Sequence, residues 1–296
     1  MPGALVTGAG GMLGRKLAER LDAPVLADLP DGDIAEPGVA ERLVADRPEM
    51  VFHLAAVVSG EAEADPDKGW RANVEGTRRL LDAIRAEGYR PRFVFASSIA
   101  VFGPPFPDPI GDDLAPAPRT SYGAQKAICE LLVSDSTRRG VVDGVSLRLP
   151  TVCVRPGEPN LAASGFFSSI IREPLSGREA VLPVGDEVRH WFASPRAAVG
   201  FLLHAAELPS EALGERRGLT MPGVSATVAD ELAALRSVGG DEALRLVRRE
   251  PDETVTRIVA GWPGRFDARR ALELGFRAES SFEEIVRIHV EDELAA

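Results

Sequence analysis

The chain has 296 residues, 45% of them hydrophobic, and a net charge of −11. This is the make-up of a globular chain with a sizeable core, and its acidity excludes nucleic acid as a partner, because binding phosphate needs a basic face. No apolar run approaches the ~18 residues of a membrane span. A strand-like ALVTG begins at Ala4, which leaves no room for a signal peptide, so the expected setting is cytoplasmic. Two cysteines, Cys129 and Cys153, are too few for a disulfide framework and read as small apolar core residues.

In chain order, residues 4–8 read as a strand and 12–21 as a helix. Strands at 24–28 and 50–56 flank a helical segment at 36–47. Residues 73–88 read as a helix, with Asn73 as N-cap and Gly88 as its stop. A strand at 92–98, a Pro-rich loop at 103–118, a long helix at 121–139 and a strand at 145–150 follow. Continuously apolar strands alternating with helices imply an α/β fold with a doubly wound parallel sheet of the Rossmann kind. After Pro150 the alternation loosens. The expected organisation is a nucleotide-binding domain over 1–154, rejoined by about 188–219, and a smaller C-terminal substrate-binding region from 155–187 and 220–296.

TGAGGMLG spaces Gly8, Gly11 and Gly14 three apart, directly after a strand and at the start of a helix. In that context glycines let the backbone approach a pyrophosphate, which the helix N-terminus stabilises. Asp28 ends the second strand, where a carboxylate accepts from an adenosine ribose and repels a 2′-phosphate. This favours NAD over NADP, although Arg15 and Arg42 are cations that would suit a phosphate.

Lysine occurs only at positions 16, 68 and 126, so 31 of the 34 basic residues are arginine, and there are only two tyrosines. Tyr122 and Lys126 nevertheless stand four apart, on one face of a helix. A free phenol has a pKa of about 10, so a tyrosine base near neutral pH needs help. A neighbouring ammonium gives it, and lysine's compact donors also suit a ribose hydroxyl. Ser98 closes the strand 92–98 at the sheet's carboxyl end, where its hydroxyl can hold a reacting oxygen; Ser97, beside it, is the weaker candidate.

TGAGGMLG, Asp28, Asp33-Ile34, HLAA at 53–56, Asn73, SSIAVFG at 97–103 and YGAQK at 122–126 resemble the extended short-chain dehydrogenase/reductases. The resemblance implies an NAD-dependent enzyme with Ser98, Tyr122 and Lys126 as catalytic residues. It also implies a cofactor site made of Gly8, Gly11, Met12, Leu13, Gly14, Asp28, Asp33, Ile34, Leu54, Ala55, Ala56, Asn73, Tyr122, Lys126, Leu149 and Val152. No metal is called for. A homodimer through helices 73–88 and 121–139 is the family's arrangement.

The texture of residues 51–65, 121–177 and 191–199 is similar to a subfamily, the D-erythronate dehydrogenases, which oxidise C2 of a four-carbon sugar acid. Thr151 and the Arg189-His190-Trp191 run depart from the pattern of nucleotide-sugar enzymes. The substrate is therefore expected to be a small anionic sugar acid, held by Ser59, Ser98, Tyr122, Thr151, Asn160 and Arg189, with Arg155 as a second cation. A nucleotide-sugar 4-epimerase or dehydratase, or a non-catalytic dinucleotide sensor, are the competing readings.

Overall fold

The computed structural model describes residues 3–29, 32–157 and 164–295. Its strands are β1 (Ala4–Thr7), β2 (Val25–Ala27), β3 (Met50–His53), β4 (Arg92–Ser98), β5 (Asp143–Leu149), β6 (Thr151–Val152), β7 (Ala180–Leu182), β8 (Arg189–Ala193), β9 (Gly218–Thr220), β10 (Val224–Thr227) and β11 (Val247–Arg249). Six of them form one sheet in the order β2-β1-β3-β4-β5-β9. Every pairing in it is parallel.

The strands are apolar without interruption because both faces are covered. Leu5, Val51, Phe93 and Phe95 turn to one side, against Val44, Leu80, Ile84, Cys129 and Val133 of three helices (Val39–Val44, Gly76–Glu87 and Ser121–Arg138). Val6, Phe52, Val94 and Leu147 turn to the other side, against Leu17, Val199, Leu202 and Ala205. Phe52, Phe93 and Phe95 are fully buried, each contributing about 1.5–3 kcal/mol of transfer free energy.

Beyond β5 the chain builds a three-stranded sheet, β10-β8-β6, and a two-stranded one, β11-β7. The helices Gly165–Leu175, Val228–Arg245 and Phe282–His289 close over them, around Phe167, Ile171, Phe192, Leu235 and Val286. Strand β9 returns to pair with β5. Successive strands β2 and β3 lie on opposite sides of β1, so the sheet's order reverses there and a crevice opens at the strands' carboxyl ends.

Candidate active site

Beyond β1 the chain turns at Gly8, with φ at 72°. A Cβ there would stand 2.6 Å from the Ala55 nitrogen, so only glycine lets this turn nest against the loop after β3. The helix that follows, Met12–Ala18, has no side-chain cap and no acid in its first turn. Its leading N–H groups are thus available to an anion. Gly14 is buried in that helix, with Met12 and Leu13 half-buried beside it.

Asp28 leaves β2 towards the glycine turn; its carboxylate accepts from the Gly10 N–H and, at 2.7 Å, from the Leu29 N–H. One oxygen of Asp33 accepts from the Ala35 N–H at 2.8 Å, and the other meets the Arg71 guanidinium at 2.7 Å. Gly8, Gly11, Asp28, Asp33, Ile34 and Leu54–Ala56 line a cleft of about 810 Å³. Arg15 and Arg42 bond to backbone carbonyls of Gly10 and Gly38.

Asn73 is not the N-cap that the sequence suggests. The helical path begins upstream, at Pro66, and Asn73 lies inside the π-helical turn Trp70–Glu75, where backbone bonding already satisfies the chain. Its amide instead accepts from the Val57 N–H (2.8 Å), donates to the Val57 carbonyl (3.1 Å) and donates to Gln125 Oε1 (2.7 Å). It thereby pins the loop that floors the cleft.

Beneath that floor lies His53, fully buried. The Thr77 hydroxyl donates to the Asn73 carbonyl at 2.6 Å, so it accepts from His53 Nε2–H at 2.8 Å. His53 Nδ1 is left to accept from the Thr7 hydroxyl at 2.7 Å. Nothing in the sequence singled out this histidine beyond its place in HLAA.

The helix Ser121–Arg138 starts on Thr120, whose hydroxyl accepts from the Gly123 N–H at 3.0 Å, and on Glu63, which accepts from the Ser121 N–H at 2.9 Å. A Cβ on Gly123 would stand 2.2 Å from the Ala100 carbonyl oxygen. That close approach presses the helix start against the turn after β4 and brings Tyr122 to Ser98. Lys126, one turn on, is 2% exposed; Nζ donates to the Ala96 carbonyl at 2.8 Å and lies 5.6 Å from the centre of the Tyr122 ring. Ser98 Oγ accepts from the Ala100 N–H at 3.1 Å. Ser97 points away, donating to Glu130 Oε1 at 2.6 Å. Glu130 in turn receives Arg148 through Nε (3.0 Å) and Nη2 (2.8 Å), a buried ion pair.

Burial pushes the Tyr122 phenol up to about 12; the Arg155 guanidinium and a hydrogen bond from Ser98 oppose it. This reverses the direction expected from the Tyr–Lys spacing. The ammonium is bonded to a backbone carbonyl rather than aimed at the phenol oxygen, and Lys126 is itself brought down to about 8 by burial, with Glu130 pulling the other way.

On the far side of the crevice, Thr151 Oγ1 meets His190 Nε2 at 2.7 Å. His190 is buried and stacked on Phe167 with 5.4 Å between ring centres. Leu149 and Val152 are buried around the junction of β5 and β6. Arg155 is half-buried; Nε donates to the Val152 carbonyl and Nη2 to Ser164 Oγ, both at 3.0 Å. Arg189 is exposed and donates to the carbonyl and hydroxyl of Ser225 at 3.3 Å. Ser59 opens the short helix Ser59–Ala64, half-buried. Asn160 lies outside the described residues.

Burial lowers both His53 and His190 from 6.5 to about 3. Above 6.5 neither state of the protein protonates them. Below it the unfolded chain takes up protons that the fold refuses, so stability falls with pH at about 1.4 kcal/mol per pH unit for each histidine. Near pH 5 the two together should cost about 4 kcal/mol. Urea unfolding at neutral and acidic pH measures this, and His53→Gln should remove about half of the slope. A midpoint that does not move between pH 7 and 5 would show that the folded protein admits these protons.

A model of the NAD dependent epimerase/dehydratase family matches residues 4–212. The chain belongs to this family. It is 50% identical over 261 residues to a D-erythronate dehydrogenase of Cupriavidus necator, covering 88% of this chain and 81% of that one. It is 41% identical to a D-erythronate dehydrogenase of Haemophilus influenzae, covering 97% of this chain and 98% of the relative. A solved structure from Agrobacterium tumefaciens, described as a nucleoside-diphosphate-sugar epimerase, is 53% identical with a TM-score of 0.94, covering 99% of this chain and 94% of that one. A nicotinamide dinucleotide is thus the cofactor class, and the residues fit it: Gly8 and Gly11 line the cleft, and the uncapped helix N-terminus suits a pyrophosphate.

Proposed function

We propose that this protein is an NAD-dependent dehydrogenase that oxidises the C2 hydroxyl of a small sugar acid, D-erythronate, to 2-dehydro-D-erythronate. The observation that carries the reading is the gathering of Ser98, Tyr122 and Lys126 at the carboxyl end of β4. The two D-erythronate dehydrogenases, 50% and 41% identical, support the substrate.

Tyr122 Oη takes the proton of the C2 hydroxyl, and Ser98 Oγ donates to the reacting oxygen as charge develops. Lys126 spends one of its three donors on Ala96 and offers the others to a ribose hydroxyl. A nicotinamide bound here would supply the acceptor for the C2 hydride. Gly8, Gly11, Met12, Leu13 and Gly14 would hold the pyrophosphate, and Asp33 and Ile34 the adenine. Leu54–Ala56 and the Asn73-pinned loop would support the cofactor, and Leu149 and Val152 would contact its nicotinamide. The Asp28 carboxylate favours NAD, since a 2′-phosphate there would meet a like charge. Among the described residues no helix is long and apolar enough to cross a membrane. The protein is read as a cytoplasmic homodimer, with Leu131, 71% exposed on the helix Ser121–Arg138, at the contact between copies.

The test is a panel of four- to six-carbon sugar acids, aldoses and UDP-sugars with NAD and with NADP, read at the NADH absorbance. Steady NADH formation from D-erythronate and none from UDP-sugars is expected. The description of the Agrobacterium relative favours a second reading, a nucleotide-sugar 4-epimerase. Conversion of UDP-glucose without net NADH, and no turnover of any acid, would establish that reading instead.

A further inference from the structure

Several buried or nearly buried arginines of this fold sit against carboxylates. Arg148 has Glu130, Arg172 has Glu173, and Arg92 and Arg217 share Asp143. Burying a guanidinium without an anion is costly, which is why such pairing is the rule. Half-buried Arg155 is held among the described residues by a carbonyl and a hydroxyl. The bonds from Nε to Val152 and from Nη2 to Ser164 fix the plane of its guanidinium and leave Nη1 without a partner among the described residues. Its bond to Val152 places it against β6 beside the Thr151–His190 pair, and its charge acts on the Tyr122 phenol.

We infer that Arg155 binds the carboxylate of the substrate and thereby selects sugar acids over neutral sugars. The inference rests on the dehydrogenase reading above. In a 2-hydroxy acid the carboxylate is bonded directly to the carbon that reacts. A hydroxyl placed on Tyr122 therefore puts the carboxylate within a few ångströms of the same phenol, and the anion site must adjoin the base. Arg155 meets that condition. Arg189 does not: alternation along β8 turns it to the face opposite His190, where Ser225 engages it. Arg155 also has the fixed, planar donor set that suits a carboxylate.

A second consequence separates this role from mere packing. The groups acting on the Tyr122 phenol are Ser98 at the end of β4, Arg155 after β6 and Cys129 of its own helix, with Lys126 over the face of its ring. A carboxylate seated on Arg155 cancels the pull of that cation on the phenol. The acidic limb of kcat, which reports the substrate complex, should then lie at higher pH than that of kcat/KM, which reports the free enzyme.

The experiment compares the wild-type protein with Arg155→Gln and Arg155→Lys. In Arg155→Gln the KM for D-erythronate should rise roughly 10- to 150-fold, the range expected when a hydrogen bond to a charged group is lost. The affinity for erythritol, which has no carboxylate, should shift far less, and the NAD dissociation constant should not move. Arg155→Lys should fall between the two, and the gap between the two pH profiles should close in Arg155→Gln. A KM within about threefold of wild type, with the gap retained, overturns the inference while leaving the dehydrogenase reading intact. A wild-type protein inert towards every sugar acid overturns both. If Arg155→Gln fails to bind NAD, phenylglyoxal modification of the wild type decides. Protection of the Arg155 peptide by D-erythronate is expected, and modification at an unchanged rate overturns the assignment.

Discussion

Tyr122→Phe should keep its fold and its affinity for NAD while kcat falls roughly 10²- to 10⁴-fold, the range for losing a general base. The substitution removes one oxygen and leaves the ring between Ser98 and Lys126. The wild type should also oxidise faster as pH rises through the alkaline range. Burial holds the phenol up at about 12, and only the deprotonated form accepts the substrate's proton. In Tyr122→Phe that rise should disappear. Turnover is read as NADH formation, and NAD binding independently by quenching of tryptophan fluorescence. A variant that turns over at the wild-type rate would remove Tyr122 from the proton transfer.

Glu130→Ala should destabilise the protein by about 3–5 kcal/mol, the cost of leaving a buried charge unpaired. Glu130 is buried on the catalytic helix and takes three bonds, from Arg148 Nε, Arg148 Nη2 and the Ser97 hydroxyl. Its loss strands a guanidinium and orphans a hydroxyl inside the core. The double variant Glu130→Leu/Arg148→Met should recover most of that loss, because a matched apolar pair carries no desolvation penalty. Urea denaturation of the three proteins gives both numbers. A loss below about 1 kcal/mol in the single variant would mean that water reaches Arg148 and that the pair is not what holds helix to sheet.

What could be read from the chain, and what could not, follows from the range of the interactions involved. The strand at 92–98 and the helix at 121–138 come out almost to the residue, because their apolar period and their capping residues are local. The glycine turn was equally plain. Asn73 misleads because an asparagine ahead of an amphipathic run looks like a cap, while the helical path upstream of it depends on packing of the segment from Pro66 against the helix Ser121–Arg138. The rise of the Tyr122 phenol is not legible from the Tyr–Lys spacing, because burial, which causes it, depends on the whole fold, and spacing says that two side chains share a face, not where the ammonium is aimed. On the substrate side, Arg189, His190 and Trp191 stand in one short strand, and only the pairing of β8 with β6 and β10 decides which of them turns inward.

Ser97 and Ser98 are neighbours of identical chemistry with unlike surroundings. One is bolted into an ion pair; the other meets the phenol of Tyr122. Nothing about serine separates them; parity along β4 does. A shift of β4 by a single residue would exchange the bolt and the donor without altering the composition of either. The identity of the serine beside Tyr122 is therefore guarded from the opposite end of the strand. There, Arg92 is clamped to Asp143 at 3.1 Å and its N–H is bonded to the Glu49 carbonyl at 2.9 Å. An ion pair six residues away from the chemistry thus acts as its indexing pin.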